Sequence, residues 1–298
     1  MRESRRSPDD ETKLREYKRG LRLILKNPLT VLGLTIIIIL IFTAILAPQI
    51  APYPDQGRGA SDLSSRLLPP SPKHFFGTDN LGRDIFSRIL YGARVSLKAA
   101  IMVVLIVVII GMPLGVIAGY YGGKIDEVIM RTGDMILAFP SLLLAIAIVA
   151  AAGPSLTNAM IAISVPWWPW YTRLARSQTI SLRERQFVEA ARAIGMSNFR
   201  IMFRHILPNC LSPIIVQATL DIGYVILSLA GLGFLGLGTQ PPRADWGVMV
   251  SAGREFFLNQ WWYSIFPGLA IFIAVLGSNL LGDGLREALD PRIRWKFK

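Results

Sequence analysis

Residues 183–209 read RERQFVEAARAIGMSNFRIMFRHILPN, a basic, helix-forming segment set between two long apolar regions. The spacing predicts two short helices. In the first, over about 183–194, Phe187, Ala190, Ala191 and Ile194 share one small apolar face. Gly195 follows, placed to end that helix in a left-handed conformation. Ser197 then caps a second helix that carries Phe199, Ile201, Met202, Phe203 and Ile206 toward Leu207-Pro208, where Pro208 stops it. Small side chains at Ala190 and Ala191 let a partner surface approach the helix backbone. Glu189, Arg183, Arg185 and Arg192 offer charges to pair with there. Joined rigidly to flanking membrane helices, such a unit transmits force to them. An ordinary solvated hairpin shares the same spacing.

Outward from this segment the chain is apolar. Of its 298 residues 52% are hydrophobic and 17% charged, whereas soluble domains carry roughly a quarter charged. No charge falls in 30–47, 99–123, 135–172 or 264–282, and 209–240 holds Asp221 alone. About 20 mainly apolar residues cross the hydrocarbon core of a bilayer. The long run after Met135 is enough for two crossings, divided at the turn signal Ala151-Ala152-Gly153-Pro154-Ser155. The expected fold is all-α and membrane-integral, with six spans at 29–48, 96–119, 132–152, 156–175, 211–235 and 264–282. The fourth span contains Pro166, Pro169 and three tryptophans, so a re-entrant segment is its rival reading. Charge placement favours a crossing. Segments rich in Lys and Arg stay cytoplasmic, and six spans put 2–26, 183–209 and 286–298 on one side. Residues 1–28 are then a cytoplasmic N-terminal segment and 49–95 an extracytoplasmic loop. Residues 96–282 form a five-helix core with its loop at 183–209, and 283–298 a cytoplasmic tail. The first span, 29–48, is longer than a signal-peptide core and reads as an uncleaved anchor. The net charge of +12 resides largely in segments flanking spans, where anionic lipid explains it without nucleic acid.

The 49–95 loop opens Pro-rich, without regular structure, and changes character at His74. From Asp84 onward Ile85, Phe86, Ile89, Leu90 and Ala93 follow helical spacing, as in an amphipathic helix on the membrane surface. Such a helix is either a ramp into span two or a docking surface, with Asp79, Arg83 and Asp84 at its start. A second outer loop, 236–263, holds a further short helix from Trp246 and the run Trp261-Trp262-Tyr263, an interfacial aromatic anchor. Contact of Trp246 with an external protein is the alternative role.

No catalytic constellation is legible. His74 and His205 fall on opposite sides of the membrane, and the lone Cys210 permits neither an internal disulfide nor a Cys/His metal site. Gly122-Gly123-Lys124 lacks the upstream Gly and the following Ser or Thr of a phosphate-binding loop. The chain therefore has no expected ATP site, cofactor or metal of its own. A charge inside a span is costly and marks function by default. Asp221, with Gln217 one turn before it, either lines a polar pathway or pairs with a polar group on another helix. Asp134, near a span end and close to Arg131, reads as a local ion pair or an interfacial residue, and Asn279 as a hydrogen bond between helices. Gly111, Gly115 and Gly119 recur every fourth residue and favour close helix packing.

The spacing of Glu189-Ala190-Ala191, Gly195 and Leu207-Pro208 resembles the coupling loop of permease subunits of bacterial ABC importers. His205 stands where the general pattern has an apolar residue, and HILPN is similar to the dipeptide and oligopeptide branch; its role is left open between packing and capping. The C-type subunits of that branch are resembled by GTDNLGRD at 77–84, LYGARVSL at 90–97, AGYYGGKID at 118–126, FLGLGTQPP at 234–242, WWYSIFPGLAI at 261–271 and LGDGLREALDP at 281–291. The likeness spans about 21–291. It implies a type I importer permease fold in the bacterial inner membrane and a peptide cargo; nickel chelates, glutathione and opine-like solutes are the alternatives. It also implies a homologous second permease, two ATPase subunits that carry ATP and Mg, and an extracytoplasmic solute-binding protein. An ion-coupled transporter or membrane enzyme is the rival of a different class.

Overall fold

The computed structural model describes Leu25 and residues 27–289, which are helical apart from turns and one isolated bridge, Thr78 to Asp84. Expectations for 1–24, for Lys26 and for 290–298 lie outside the described residues. Helix α1 (Pro28–Ile50) starts where the Asn27 side chain accepts from Leu29 N at 3.0 Å and Pro28 takes the first turn. It matches the first expected span. It packs on the last helix, α11 (Trp262–Leu289), where Gly33 allows close approach, and its end, at Ala47, packs against Leu90. A Cβ on Gly33 would sit 2.6 Å from Leu281 N.

Residues 51–84 fold back as a cap. The stretch expected to be irregular contains α2 (Pro54–Arg58) and a 3₁₀ turn at Leu63–Ser65. Asp62 caps that turn, and hydrogen bonds from Ser64 and Ser65 hold its carboxyl below the usual carboxylate range. Helix α3 (Ile85–Tyr121) begins at Asp84, whose Oδ2 accepts from Ser87 N at 2.7 Å. The expected surface helix and second span are one rod of 37 residues, about 55 Å long. Its first turns do not lie on a surface, because the cap, the end of α1 and the 235–263 segment cover them, burying Ser87 and Arg88 as well as Ile85 and Leu90.

The expected third span, 132–152, is not one straight helix. An amphipathic helix, α4 (Gly123–Leu137), is followed by α5 (Ser141–Ala152), and the pair is bent by 84°. Pro140 causes the break: it disfavours helical backbone at Phe139. Alone, the 12 residues of α5 rise only about 18 Å, well short of the hydrocarbon core. The turn expected after Ala152 is present, with Gly153 at φ +90° and Ser155 accepting from Asn158 N. Helix α6 (Leu156–Arg183) runs unbroken through Pro166 and Pro169.

Helix α6 against α3 is the most extensive helix–helix contact among the described residues. Gly111, Gly115 and Gly119 let the backbones touch: a Cβ on Gly115 would meet Thr172 O at 2.3 Å, and one on Gly119 would meet Arg176 O at 2.8 Å. After α6 come α7 (Gln186–Ala193) and α8 (Asn198–Ile201). One π turn (Met202–Ile206) and one 3₁₀ turn (Leu207–Cys210) then lead without interruption into α9 (Leu211–Phe234). A short α10 (Trp246–Gly253) precedes α11. Four of the described helices are long and apolar enough to cross a membrane, and the bent pair makes a fifth candidate. Helix α6 falls outside that group despite its 28 residues, because its prolines and basic C-terminal turns dilute its apolar character.

Candidate functional sites at the tip, along the spans and in the cap

Between α6 and α9 the chain makes a helix–glycine–helix tip. Gly195 takes φ +76°, as its place after α7 requires, and nothing lies near the space a Cβ would fill. The apolar faces divide differently from the expected pattern. Val188 and Ala191 turn inward, where they join Ile201, Met202, Ile206 and Tyr120 in a buried cluster. Glu189, Ala190 and Gly195 lie on the surface, and Leu207 is half-buried. Phe187, Ile194 and Phe199 are left in the open, Ile194 at 77% and Phe199 at 67%. Phe203 stacks obliquely on Phe199 at 4.5 Å.

Two expectations here are corrected. Pro208 does not stop the second helix. It has no N–H to donate, and the chain accommodates it by widening the turn before it. Leu207 N reaches back to Met202 O, and the Asn209 side chain donates to His205 O at 2.6 Å. The helical path therefore continues from Asn198 to Phe234. Ser197 occupies the cap position without a side-chain hydrogen bond. The imidazole of His205 is partly covered, and its buried Nε2 has no partner among the described residues. Contacts not foreseen in the sequence reading hold the tip to α3. Tyr120 donates to Asn198 Oδ1 at 2.8 Å, Arg192 lies over the Tyr120 ring at 5.4 Å, and Arg183 donates to Gly119 O at 3.0 Å.

Midway along α9, Asp221 is buried and fully engaged. It accepts from Tyr171 Oη at 2.6 Å, Trp167 Nε1 at 3.2 Å and Gln217 Nε2 at 3.0 Å. Of its two expected roles, pairing with another helix is the one present in this chain, and Gln217 serves as one of its donors. Trp167 and Tyr171 are one turn apart in α6, a spacing visible in the sequence but masked there by two prolines. Asp134 pairs with Arg173 rather than Arg131, which instead pairs with Glu127. Asp126 forms a bidentate pair with Arg176. Asn279 is exposed and makes no hydrogen bond among the described residues, so it does not join helices within this chain.

The cap overturns the expected docking residues. Asp79, Arg83, Asp84 and Trp246 are all buried, because they build the cap rather than present it. Asp79 Oδ1 accepts from Leu81 N and Arg83 N, while Oδ2 takes Arg83 Nε at 2.6 Å with Arg88 Nε 3.7 Å away. Asp84 pairs with His74 Nδ1 at 3.0 Å. Trp246 donates to Ile89 O at 3.0 Å, against a face of α3 opened by Gly92. Trp262 and Tyr263 are likewise buried, leaving Trp261 as the exposed ring of that run. Asp245 caps α10 through Gly247 N and Val248 N, and burial pushes its carboxyl above the usual range. Asp79→Asn leaves two buried guanidiniums without their anion. We expect it to cost roughly 3–5 kcal/mol, read as a lower thermal midpoint of the purified protein.

These features define an all-helical, multi-span membrane subunit with an exposed apolar tip at one end and a folded cap at the other. The chain belongs to the family described as binding-protein-dependent transport system inner membrane component, whose match covers residues 111–295. Residues 17–70 match the N-terminal TM domain of oligopeptide transport permease C. The dipeptide transport system permease protein DppC of Alkalihalophilus pseudofirmus is 51% identical over 96% of this chain and 94% of its own length. The probable D,D-dipeptide transport system permease protein DdpC of Escherichia coli is 49% identical over 89% of this chain and 88% of its own. The nickel transport system permease protein NikC of Escherichia coli is 44% identical over 88% of this chain and 94% of its own. Among solved structures, an inward-facing MetNI methionine ABC transporter matches with a TM-score of 0.53 at 19% identity. That match spans 68% of this chain and 96% of the other, a likeness of fold.

Proposed function

We propose that this chain is the membrane-spanning permease subunit of an ATP-driven importer of di- or oligopeptides. In this reading six segments cross the inner membrane and both termini are cytoplasmic; the bent α4–α5 pair and α6 supply the third and fourth crossings. The 183–209 tip is then the coupling loop, with Glu189, Ala190, Gly195 and Pro208 on its surface. It seats on an ATPase subunit that binds ATP and Mg, while Ala191 and Leu207 pack its base. A second permease subunit completes the pathway, and an extracytoplasmic binding protein delivers cargo to the cap side. Asp221 and Gln217 stand behind the pathway wall.

The observation that carries the coupling role is the exposed ridge of Phe187, Ile194 and Phe199 on a unit with no slack at either end. Helix α6 ends two residues before α7, and α8 is continuous with α9. Movement of the tip is thus movement of two membrane helices. The identity of the dipeptide-transport relatives favours peptide over nickel as cargo. A strain lacking this chain is expected to lose uptake of labelled dipeptide and regain it on complementation. Loss of nickel uptake with dipeptide uptake intact would reverse that assignment.

A further inference from the structure

Helix α4 lies between two breaks in the backbone. At its start Gly122 and Gly123 take φ of +65° and +55°, and past its end Pro140 follows the 84° bend to α5. Neither joint is helical, so α4 is not a continuation of α3 or of α5. Contacts along its length therefore set where it sits.

Those contacts fall on α6. Gly133 lies against Pro169, where an added Cβ would come within 3.1 Å of the proline Cβ. Ile129 and Met130 share a small recess with Trp168 and Thr172. Two ion pairs flank this contact. Asp126 accepts from Arg176 Nε at 2.5 Å and from its Nη2 at 2.6 Å, and Asp134 accepts from Arg173. The third acid of α4, Glu127, pairs with Arg131 inside the same helix. Val128 and Met135 are left exposed.

The two arginines belong to the turns of α6 that lead into the tip. Helix α6 ends at Arg183, which itself donates to Gly119 O in α3. The stretch 173–183 thus holds α4 by two guanidiniums and the end of α3 by another. A bidentate pair fixes orientation as well as distance. Part-exposed pairs add little to stability, so what these arginines supply is the registry of α4 on α6.

We propose that Arg173 and Arg176 are positioning residues for transport. They make α4 travel with α6, so that a displacement of the tip also reaches the α4–α5 elbow at Pro140. Without the pairs, α6 moves while α4 turns on its glycine joint. The inference rests on the coupling role of 183–209 given above.

The test uses the assembled transporter in proteoliposomes, with cysteine-free partner subunits and Cys210→Ser as background. Spin labels at Glu127→Cys and Ser177→Cys report the separation of α4 from α6, and labels at Ser64→Cys and Ser177→Cys report α6 against the cap. ATP should shift the second separation and leave the first unchanged. A first separation that changes with ATP overturns the relay alone. A second that does not change removes the coupling reading, and the relay with it. Arg173→Gln combined with Arg176→Gln should broaden the first separation and lower the dipeptide imported per ATP hydrolysed about tenfold. Loss of folding lowers import and hydrolysis together and leaves that ratio unmoved. Asp126→Cys with Arg176→Cys, joined by a reducible cross-linker as long as an arginine side chain, is the second variant. Its ratio should hold while the link is intact and fall when the link is reduced. An unchanged ratio in the double glutamine variant, a ratio indifferent to the link, or a link that stops import refutes the proposal.

Discussion

Replacing Gly115 with leucine should prevent accumulation of folded protein, and replacing it with alanine should lower stability by about 3 kcal/mol. The reason is geometric. The Cβ would lie 2.3 Å from Thr172 O, 2.7 Å from Ala175 Cβ and 2.9 Å from Arg176 N. Two of those atoms are backbone of a continuous helix, so relief requires α3 and α6 to separate along their shared length. Gly231 is the internal control: it is helical, nothing lies within 4 Å of its added Cβ, and alanine there should stabilise by up to about 1 kcal/mol. Thermal unfolding of the detergent-purified protein, followed by size exclusion, separates the two. Equal midpoints for Gly115→Ala and Gly231→Ala would refute the packing argument.

That contact was legible in the sequence because glycines at every fourth position have one economical use in a membrane helix. The apolar runs were legible for a similar reason: hydropathy reports transfer free energy, and the transfer is what a span undergoes. Two kinds of information were not legible. Pro140 was hidden inside an uninterrupted uncharged run, where composition says membrane but backbone sterics says bend. The cap also eluded a local reading. Ile85, Leu90 and Ala93 have the spacing of a surface helix, and only the return of 235–263 with Trp246 and Trp262 buries the opposite side as well.

The same distinction runs through the sites. Asp221 announced itself by its charge, yet its donors Trp167 and Tyr171 lie about fifty positions away, on a helix that two prolines made hard to credit. Asp79, Arg83 and Asp84 drew attention as charges in a loop. A loop that carries its own ion pairs can bury them, and pairing removes the need for a partner. At the tip the residue types were read correctly but their partition was not. The small Ala191 goes inward beside Val188, and the large Ile194 and Phe199 go outward, the reverse of what a soluble hairpin would choose.

That reversal gives the second large effect. Ile194→Asp combined with Phe199→Asp should reduce dipeptide uptake about 100-fold while leaving the thermal midpoint of the isolated chain unchanged. Both side chains are mostly exposed, so the folded chain loses little by the change. An ATPase surface that covers them must instead bury two carboxylates without partners, at several kcal/mol, and about 3 kcal/mol already weakens association 100-fold. Co-purification of the ATPase subunit and transport by the assembled complex should fall together. Gly195→Ala should act by another route, straining a backbone at φ +76° by about 1 kcal/mol and misaligning the tip rather than repelling its partner. Its uptake should drop with ATPase binding retained. Uptake within about twofold of wild type in the double aspartate variant would mean that the ridge stays in solvent throughout transport, and the coupling role of 183–209 would have to be abandoned.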